Sequence, residues 1–159
     1  MTHDATYRDD TLCAIGSEDH ALGAIAPPIY QSATFRFETT EQMAAYTRGE
    51  RDRYLYTRYA NPTIEAVEGK LAALERGQRA ILFASGSAAT SAWCYALLRP
   101  GDRFIVARHL YGGTTHFFDH YLPPLGIKVE KVDFTDLAAV EGALPGAKAC
   151  WFETPTNPT

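Results

Sequence analysis

Cysteine is scarce. Cys13, Cys94 and Cys150 are the only three in 159 residues, and they lie far apart with no CxxC spacing, which excludes a disulfide framework and a structural zinc site. No apolar run approaches the roughly 20 residues of a membrane-spanning helix. Met1-Thr2-His3-Asp4 opens the chain on an acidic note, without the apolar segment of a secretory leader. Basic charge is also short: 15 Lys and Arg against 19 Asp and Glu leave a net charge of −4, so nucleic acid and anionic membrane are poor partners. The two Asn-Pro-Thr tripeptides, at Asn61 and Asn157, are disqualified as glycosylation acceptors by their proline. We expect a cytoplasmic protein.

What remains is an ordinary globular composition, 46% apolar and 21% charged, in a chain long enough for one proper core. It is organised around Ala80-Ile81-Leu82-Phe83-Ala84-Ser85-Gly86-Ser87-Ala88-Ala89-Thr90. An apolar run, a Ser-Gly-Ser turn and small residues at helical spacing predict a buried strand turning into a helix. The first N–H groups of such a helix lack intrahelical partners and carry the positive end of its dipole, which makes an anion site. Gly86 allows close approach of a phosphate, and Ser85 and Ser87 add hydroxyls. A turn of this kind also occurs in α/β folds with no ligand at all, so the motif does not decide by itself.

Residues 1–60 lack sustained periodicity and are rich in aromatics, with a short helix expected over Thr40–Arg48. They read as an arm that lies on a partner subunit. Asn61-Pro62-Thr63, followed by Ile64, Val67, Leu71 and Leu74, predicts a capped amphipathic helix with Pro inside its start and Gly77 past its end. Strands follow at 79–84, 103–107, 127–132 and 147–152, with helices at 86–98, 112–121 and 135–143 between them. This alternation implies an α/β fold with a mainly parallel sheet and helices on both faces. Ligands of such sheets bind beyond the carboxyl ends of the strands. Those ends carry Ser85-Gly86-Ser87, His109-Leu110-Tyr111-Gly112-Gly113 and Glu153-Thr154-Pro155-Thr156-Asn157. The chain stops beside the last of these and looks truncated.

Taken singly, the candidates have plain readings. Tyr111 is a loop aromatic before a Gly-Gly turn. Tyr56 and Arg58 are a solvated pair beside Arg51 and Arg53. Glu153 and Asn157 satisfy turn backbone. His116 and His120 stand four apart with His109 nearby, but without a third ligand at fixed spacing they make an exposed helix face, and no metal is expected.

Together the segments say more. Ala26-Pro27-Pro28-Ile29-Tyr30-Gln31-Ser32-Ala33-Thr34-Phe35, Tyr56-Thr57-Arg58-Tyr59-Ala60-Asn61-Pro62-Thr63, Ala84-Ser85-Gly86-Ser87-Ala88-Ala89, Arg99-Pro100-Gly101-Asp102, Leu110-Tyr111-Gly112-Gly113-Thr114 and Phe152-Glu153-Thr154-Pro155-Thr156-Asn157-Pro158 resemble, in order and spacing, the cystathionine γ-synthase family. These are the trans-sulfuration enzymes of cysteine and methionine metabolism, which use pyridoxal 5'-phosphate on a fold-type-I, aspartate aminotransferase-like scaffold.

The resemblance implies that 1–60 is an extended arm contacting a neighbouring subunit and 61–159 the first, incomplete part of the cofactor-binding large domain. Gly86 and Ser87 would give backbone N–H groups to the cofactor phosphate, although Met or Leu is usual where Ser87 stands. Tyr111 would stack on the cofactor ring and serve as the catalytic acid/base. Asn157 would bond the ring hydroxyl and Glu153 would orient the loop. Tyr56 and Arg58 would reach the neighbouring subunit's phosphate, a task that suits the planar fork of arginine. Family members are usually tetramers built as dimers of dimers.

The family's lysine, which bonds covalently to the cofactor, and the aspartate that pairs with the cofactor's ring nitrogen would both fall beyond Thr159. The 159-residue chain alone is therefore expected to be inactive. Gly113 occupies a position where methionine γ-lyases commonly have Cys, which favours a cystathionine lyase or γ-synthase acting at Cβ or Cγ. Methionine γ-lyase and O-acyl-homoserine sulfhydrylase stand as alternatives. Two readings of other classes are a catalytically inactive truncated homologue serving as a structural subunit, and an unrelated phosphate-binding α/β module. The second is weakened because no GxGxxG or GxxxxGK[ST] motif is present.

Overall fold

A computed structural model describes residues 8–14, 24, 26–50 and 53–157, apart from the side chains of Leu12 and Ala14. Arg51, Pro158 and Thr159 lie outside the described residues, as does most of the expected arm before residue 24. Contacts between Cα atoms divide the chain into two compact units, Met1–Leu82 and Phe83–Thr159.

Among the described residues the first unit holds three helices: α1 (Asp9–Ala14), α2 (Thr40–Thr47) and α3 (Pro62–Leu74). Thr39 caps α2 by accepting from the Gln42 N–H at 3.2 Å. Asn61 caps α3, with Pro62 at the first helical position where its missing N–H costs nothing. Gly77 lies past the close of α3. Arg76, not Gly77, takes the left-handed φ of 53°, and the N–H groups of Arg76 and Gly77 turn back to the carbonyls of Ala73 and Ala72. The backbone needs one left-handed residue to end the helix, and its position is set by where the last carbonyls must be met. An antiparallel bridge pairs Thr34 with Tyr56. Phe35 N–H to Leu55 carbonyl (3.0 Å) and Thr57 N–H to Ala33 carbonyl (2.9 Å) extend the pairing on either side.

The second unit is built on a three-stranded sheet of β1 (Arg103–Ala107), β2 (Lys128–Val132) and β3 (Ala149–Trp151), in the order β2-β1-β3 and parallel throughout. Its helices are α4 (Gly86–Leu97), α5 (Gly112–His120) and α6 (Leu137–Ala143). β1 reads Arg-Phe-Ile-Val-Ala and is buried from Phe104 onward, as the central strand of a parallel sheet must be. Phe104 and Val106 join Cys94 of α4, Leu98 at its C-terminal cap, Phe118 of α5, Leu122 and Ile127 in one core. Ile105 is equally buried and, by strand alternation, faces the other way, so both sides of β1 are covered. Asp136 opens α6 by accepting from the Ala139 N–H. At the 99–102 turn, Gly101 N–H donates to the Gly126 carbonyl at 2.7 Å. Gly126 has φ of 80°, which favours glycine, and a Cβ there would crowd Pro100 Cβ at 3.2 Å.

The strand expected at 79–84 is not formed. Among the described residues nothing pairs with it, and Ile81, Leu82 and Phe83 are 73%, 44% and 40% exposed. A strand is stabilised by its ladder, and here the Leu82 N–H donates instead to the Glu68 carboxylate at 2.7 Å.

Candidate functional site

In the second unit, α4 begins where the Ser-Gly-Ser turn was expected to place it. Ser85 is the cap: its hydroxyl oxygen accepts from the Ala88 N–H at 3.1 Å and its carbonyl from the Ala89 N–H at 3.0 Å. Ser85 is therefore first a helix cap. Gly86 and Ser87 occupy the first two helical positions, whose N–H groups no carbonyl of the helix can reach. Both residues are exposed, and the space beside Gly86 is open for 4 Å around the position of a Cβ. Two free N–H groups at the positive end of a twelve-residue helix, with no side chain in the way, fit a phosphate.

Ser87 also lines a cavity of about 370 Å³ between α4 and α5, together with Thr90, Ser91, Gly113, Thr114 and Tyr121 among others. α5 starts at the end of β1, with Tyr111 as its cap residue and no side-chain cap of its own. The acceptor comes from the neighbouring strand end instead. The Glu153 carboxylate, just beyond β3, takes the Tyr111 N–H at 2.8 Å. β1 and β3 are adjacent in the sheet, so their carboxyl ends open side by side and a single hydrogen bond locks the two loops together. Glu153 thereby bonds the loop that carries Tyr111. The Tyr111 ring is half exposed and folds over the Gly113 backbone so closely that a Cβ at Gly113 would sit 2.6 Å from its Cε1. Asn157 is exposed at the end of the same loop, whose Thr156 hydroxyl donates to the Glu153 carbonyl at 3.1 Å.

His116 and His120 lie on α5 with ring centres 4.6 Å apart. Among the described residues, no three His, Cys, Asp or Glu side chains are grouped to hold a metal. Cys94 is buried, which pushes its thiol up to about 11, so it packs as an apolar residue and is a poor nucleophile at neutral pH.

In the first unit, Tyr56 and Arg58 follow the bridge to Thr34. The Arg58 guanidinium carbon stands 4.8 Å from the centre of the Tyr56 ring and 5.6 Å from that of Tyr59. Arg58 is exposed, and no ion pair to it is formed among the described residues. A guanidinium held over aromatic faces and left without a carboxylate is available to an outside anion.

Comparison with known proteins gives the family. The family described as Cys/Met metabolism PLP-dependent enzyme matches residues 10–159. The chain belongs to this family. Like its Cys/Met-metabolism relatives, it is an α/β chain of the fold-type-I class, and the cofactor of the family is pyridoxal phosphate. It is 42% identical over 142 residues to the L-methionine γ-lyase of Pseudomonas putida, covering 89% of this chain and 35% of that protein. The cystathionine γ-synthase of Mycobacterium tuberculosis is 40% identical over 141 residues, which is 88% of this chain and 34% of the relative.

Among solved structures, a protein from Campylobacter jejuni described as an O-acetylhomoserine (thiol)-lyase, which carries a pyridoxyl-lysine phosphate, superposes with a TM-score of 0.85 at 32% identity, over 96% of this chain and 38% of its own. The cystathionine γ-lyase of Lactobacillus plantarum, complexed with L-serine, gives a TM-score of 0.81 at 40% identity, over 96% and 38%. The chain thus spans little more than a third of the length of these Cys/Met-metabolism relatives. No helix among the described residues is long and apolar enough to cross a membrane.

The sequence missed two features. One is the Gly113 backbone lying directly under Tyr111, for which the Gly-Gly pair was the only signal. The other is the density of hydrogen bonds around Asn61, which the Asn-Pro-Thr tripeptide showed only as a helix cap.

Proposed function

We propose that this chain is the phosphate-gripping portion of a pyridoxal phosphate-dependent enzyme that eliminates or replaces a substituent at Cβ or Cγ of a sulfur amino acid. The observation that carries the reading is the start of α4, where the N–H groups of Gly86 and Ser87 are left without helical acceptors and without an obstructing side chain. Asn157 would bond the cofactor's ring hydroxyl. Glu153 holds the Tyr111 N–H, and the Tyr111 ring would lie against the cofactor face. When bound, the cofactor supplies the electron sink such chemistry needs. The phenol of Tyr111 holds or moves a proton at the substrate amine or the departing sulfur.

Arg58, with Tyr56 beneath it, serves the phosphate of a sister subunit, so the working form is a homo-oligomer built from dimers. Gly113 favours a cystathionine lyase or γ-synthase. The identity to methionine γ-lyases, 42% and 43% in two Pseudomonas relatives, supports methionine γ-lyase as the second reading.

The test uses the full-length protein that carries these residues. Purified with pyridoxal phosphate, it is expected to show the bound cofactor's visible absorbance and to release a 2-oxo acid from cystathionine, or from methionine if the second reading holds. Arg58→Ala should weaken cofactor affinity at least about tenfold, the scale of a lost charge-assisted pair. A colourless protein, inert toward both substrates, would overturn the assignment.

A further inference from the structure

Asn61 is more heavily bonded than a helix cap requires. It is buried to 3% exposure. Capping α3 takes only its side-chain oxygen, which accepts the Thr63 N–H at 2.9 Å, and Ser, Thr or Asp would do that equally well. Both hydrogens of its amide are spent elsewhere. One goes to the Tyr30 carbonyl and the other to the Thr57 hydroxyl oxygen, each at 3.0 Å. Thr57 passes its own hydroxyl hydrogen to the Ser32 carbonyl. Thr63 completes the seam, donating to the Pro28 carbonyl at 3.0 Å and accepting the Tyr30 N–H at 2.9 Å.

The result is that the segment 28–35, the segment 55–58 and the first turn of α3 are joined through one buried amide. Of the common capping side chains only asparagine combines the acceptor with two donors. Arg58 sits one residue after Thr57 and three before Asn61, so its backbone is held from both sides. Its guanidinium is left over the Tyr56 ring.

We propose that Asn61, acting through Thr57, is the positioning residue that presents Arg58 to the cofactor phosphate of the neighbouring subunit. The inference rests on the reading of Arg58 as a phosphate ligand and adds what aims it. A long exposed arginine has several rotatable bonds. Fixing the backbone on which it stands lowers the ordering cost when the anion arrives.

The experiment is a double-mutant cycle on the full-length enzyme, reading the dissociation constant of pyridoxal phosphate by titration of the apoprotein, with thermal unfolding followed alongside. Asn61→Ser keeps a capping oxygen and removes both amide donors. Thr57→Val keeps the shape of its side chain and removes the hydroxyl. In otherwise wild-type protein each is expected to weaken cofactor binding about threefold or more, and in an Arg58→Ala background to weaken it no further, because coupled residues are not additive.

If the losses at Asn61 and Thr57 add fully to that of Arg58→Ala, or if both variants bind the cofactor like the wild type while Arg58→Ala does not, the positioning role is overturned and the phosphate contact stands. If Arg58→Ala itself leaves the affinity unchanged, the phosphate contact falls and the positioning role falls with it. Should Asn61→Ser fail to fold, Thr57→Val decides the outcome.

Discussion

Gly113 shows how one missing side chain can serve two purposes. As the second residue of α5 it stands where alanine would ordinarily be preferred, since glycine in a helix costs up to about 1 kcal/mol. A Cβ at that position would lie 2.6 Å from Cε1 of Tyr111, a contact that real structures do not tolerate. The Tyr111 ring is half exposed and can swing away at little cost. We therefore expect Gly113→Ala to leave the unfolding temperature of the full-length protein unchanged or slightly raised, while the ring leaves its place and the absorbance and affinity of the bound cofactor change. A large fall in unfolding temperature would mean that the ring is fixed by its surroundings. At this scale the sequence was legible where chemistry is local. Gly86 at the start of α4 and Pro62 at the start of α3 follow from backbone rules alone. The bond from Tyr111 to Glu153 was not legible, because it spans 42 residues and depends on β1 and β3 being neighbours.

Among the elements, the junction of β1 and β2 carries the best-formed ion pair. Arg103 donates through Nε and Nη2 to the two oxygens of Glu130, at 2.8 and 2.7 Å, and through Nη1 to the Pro145 carbonyl at 2.7 Å. One guanidinium thus joins both strands to the loop after α6. The hydrogen bond from Arg103 is the main reason the Glu130 carboxyl is held below its ordinary 4.5. A carboxylate whose folded value is depressed adds stability that is fully present above its unfolded value and is lost as pH falls through the folded one. The unfolding temperature should therefore drop from about pH 5 downward, and Glu130→Gln should flatten that drop while lowering the plateau near neutrality. Because both side chains are partly exposed, 31% and 41%, added salt should diminish the difference between the two proteins. Helices and their caps were readable as elements because capping is a matter of three or four consecutive residues. The apolar run at 79–84 was misread as a formed strand because apolar periodicity reports a preference for burial, whereas a strand also needs a ladder partner.

For the whole molecule, the order of the strands was the part least accessible to sequence, since periodicity identifies strands but not their neighbours. Among the described residues, the two outer edges of the β2-β1-β3 sheet differ in chemistry. β2 reads Lys-Val-Glu-Lys-Val, and charges of this kind on an edge discourage pairing with another chain. β3 reads Ala-Cys-Trp, carries no charge, and is followed by Phe152 at 55% exposure. An uncharged edge with exposed aromatic surface is where a second sheet would add. The 159-residue chain is accordingly expected to self-associate through β3 and not through β2. Cys150 is exposed, so a lysine placed there keeps its ammonium in water while charging the edge. In sedimentation or light scattering under reducing conditions, Cys150→Lys should shift the chain toward monomer, and Lys128→Ala should leave the association of the parent chain in place. If Cys150→Lys associates as strongly as the parent, the contact is made elsewhere, and the exposed run of Ile81, Leu82 and Phe83 becomes the surface to charge next.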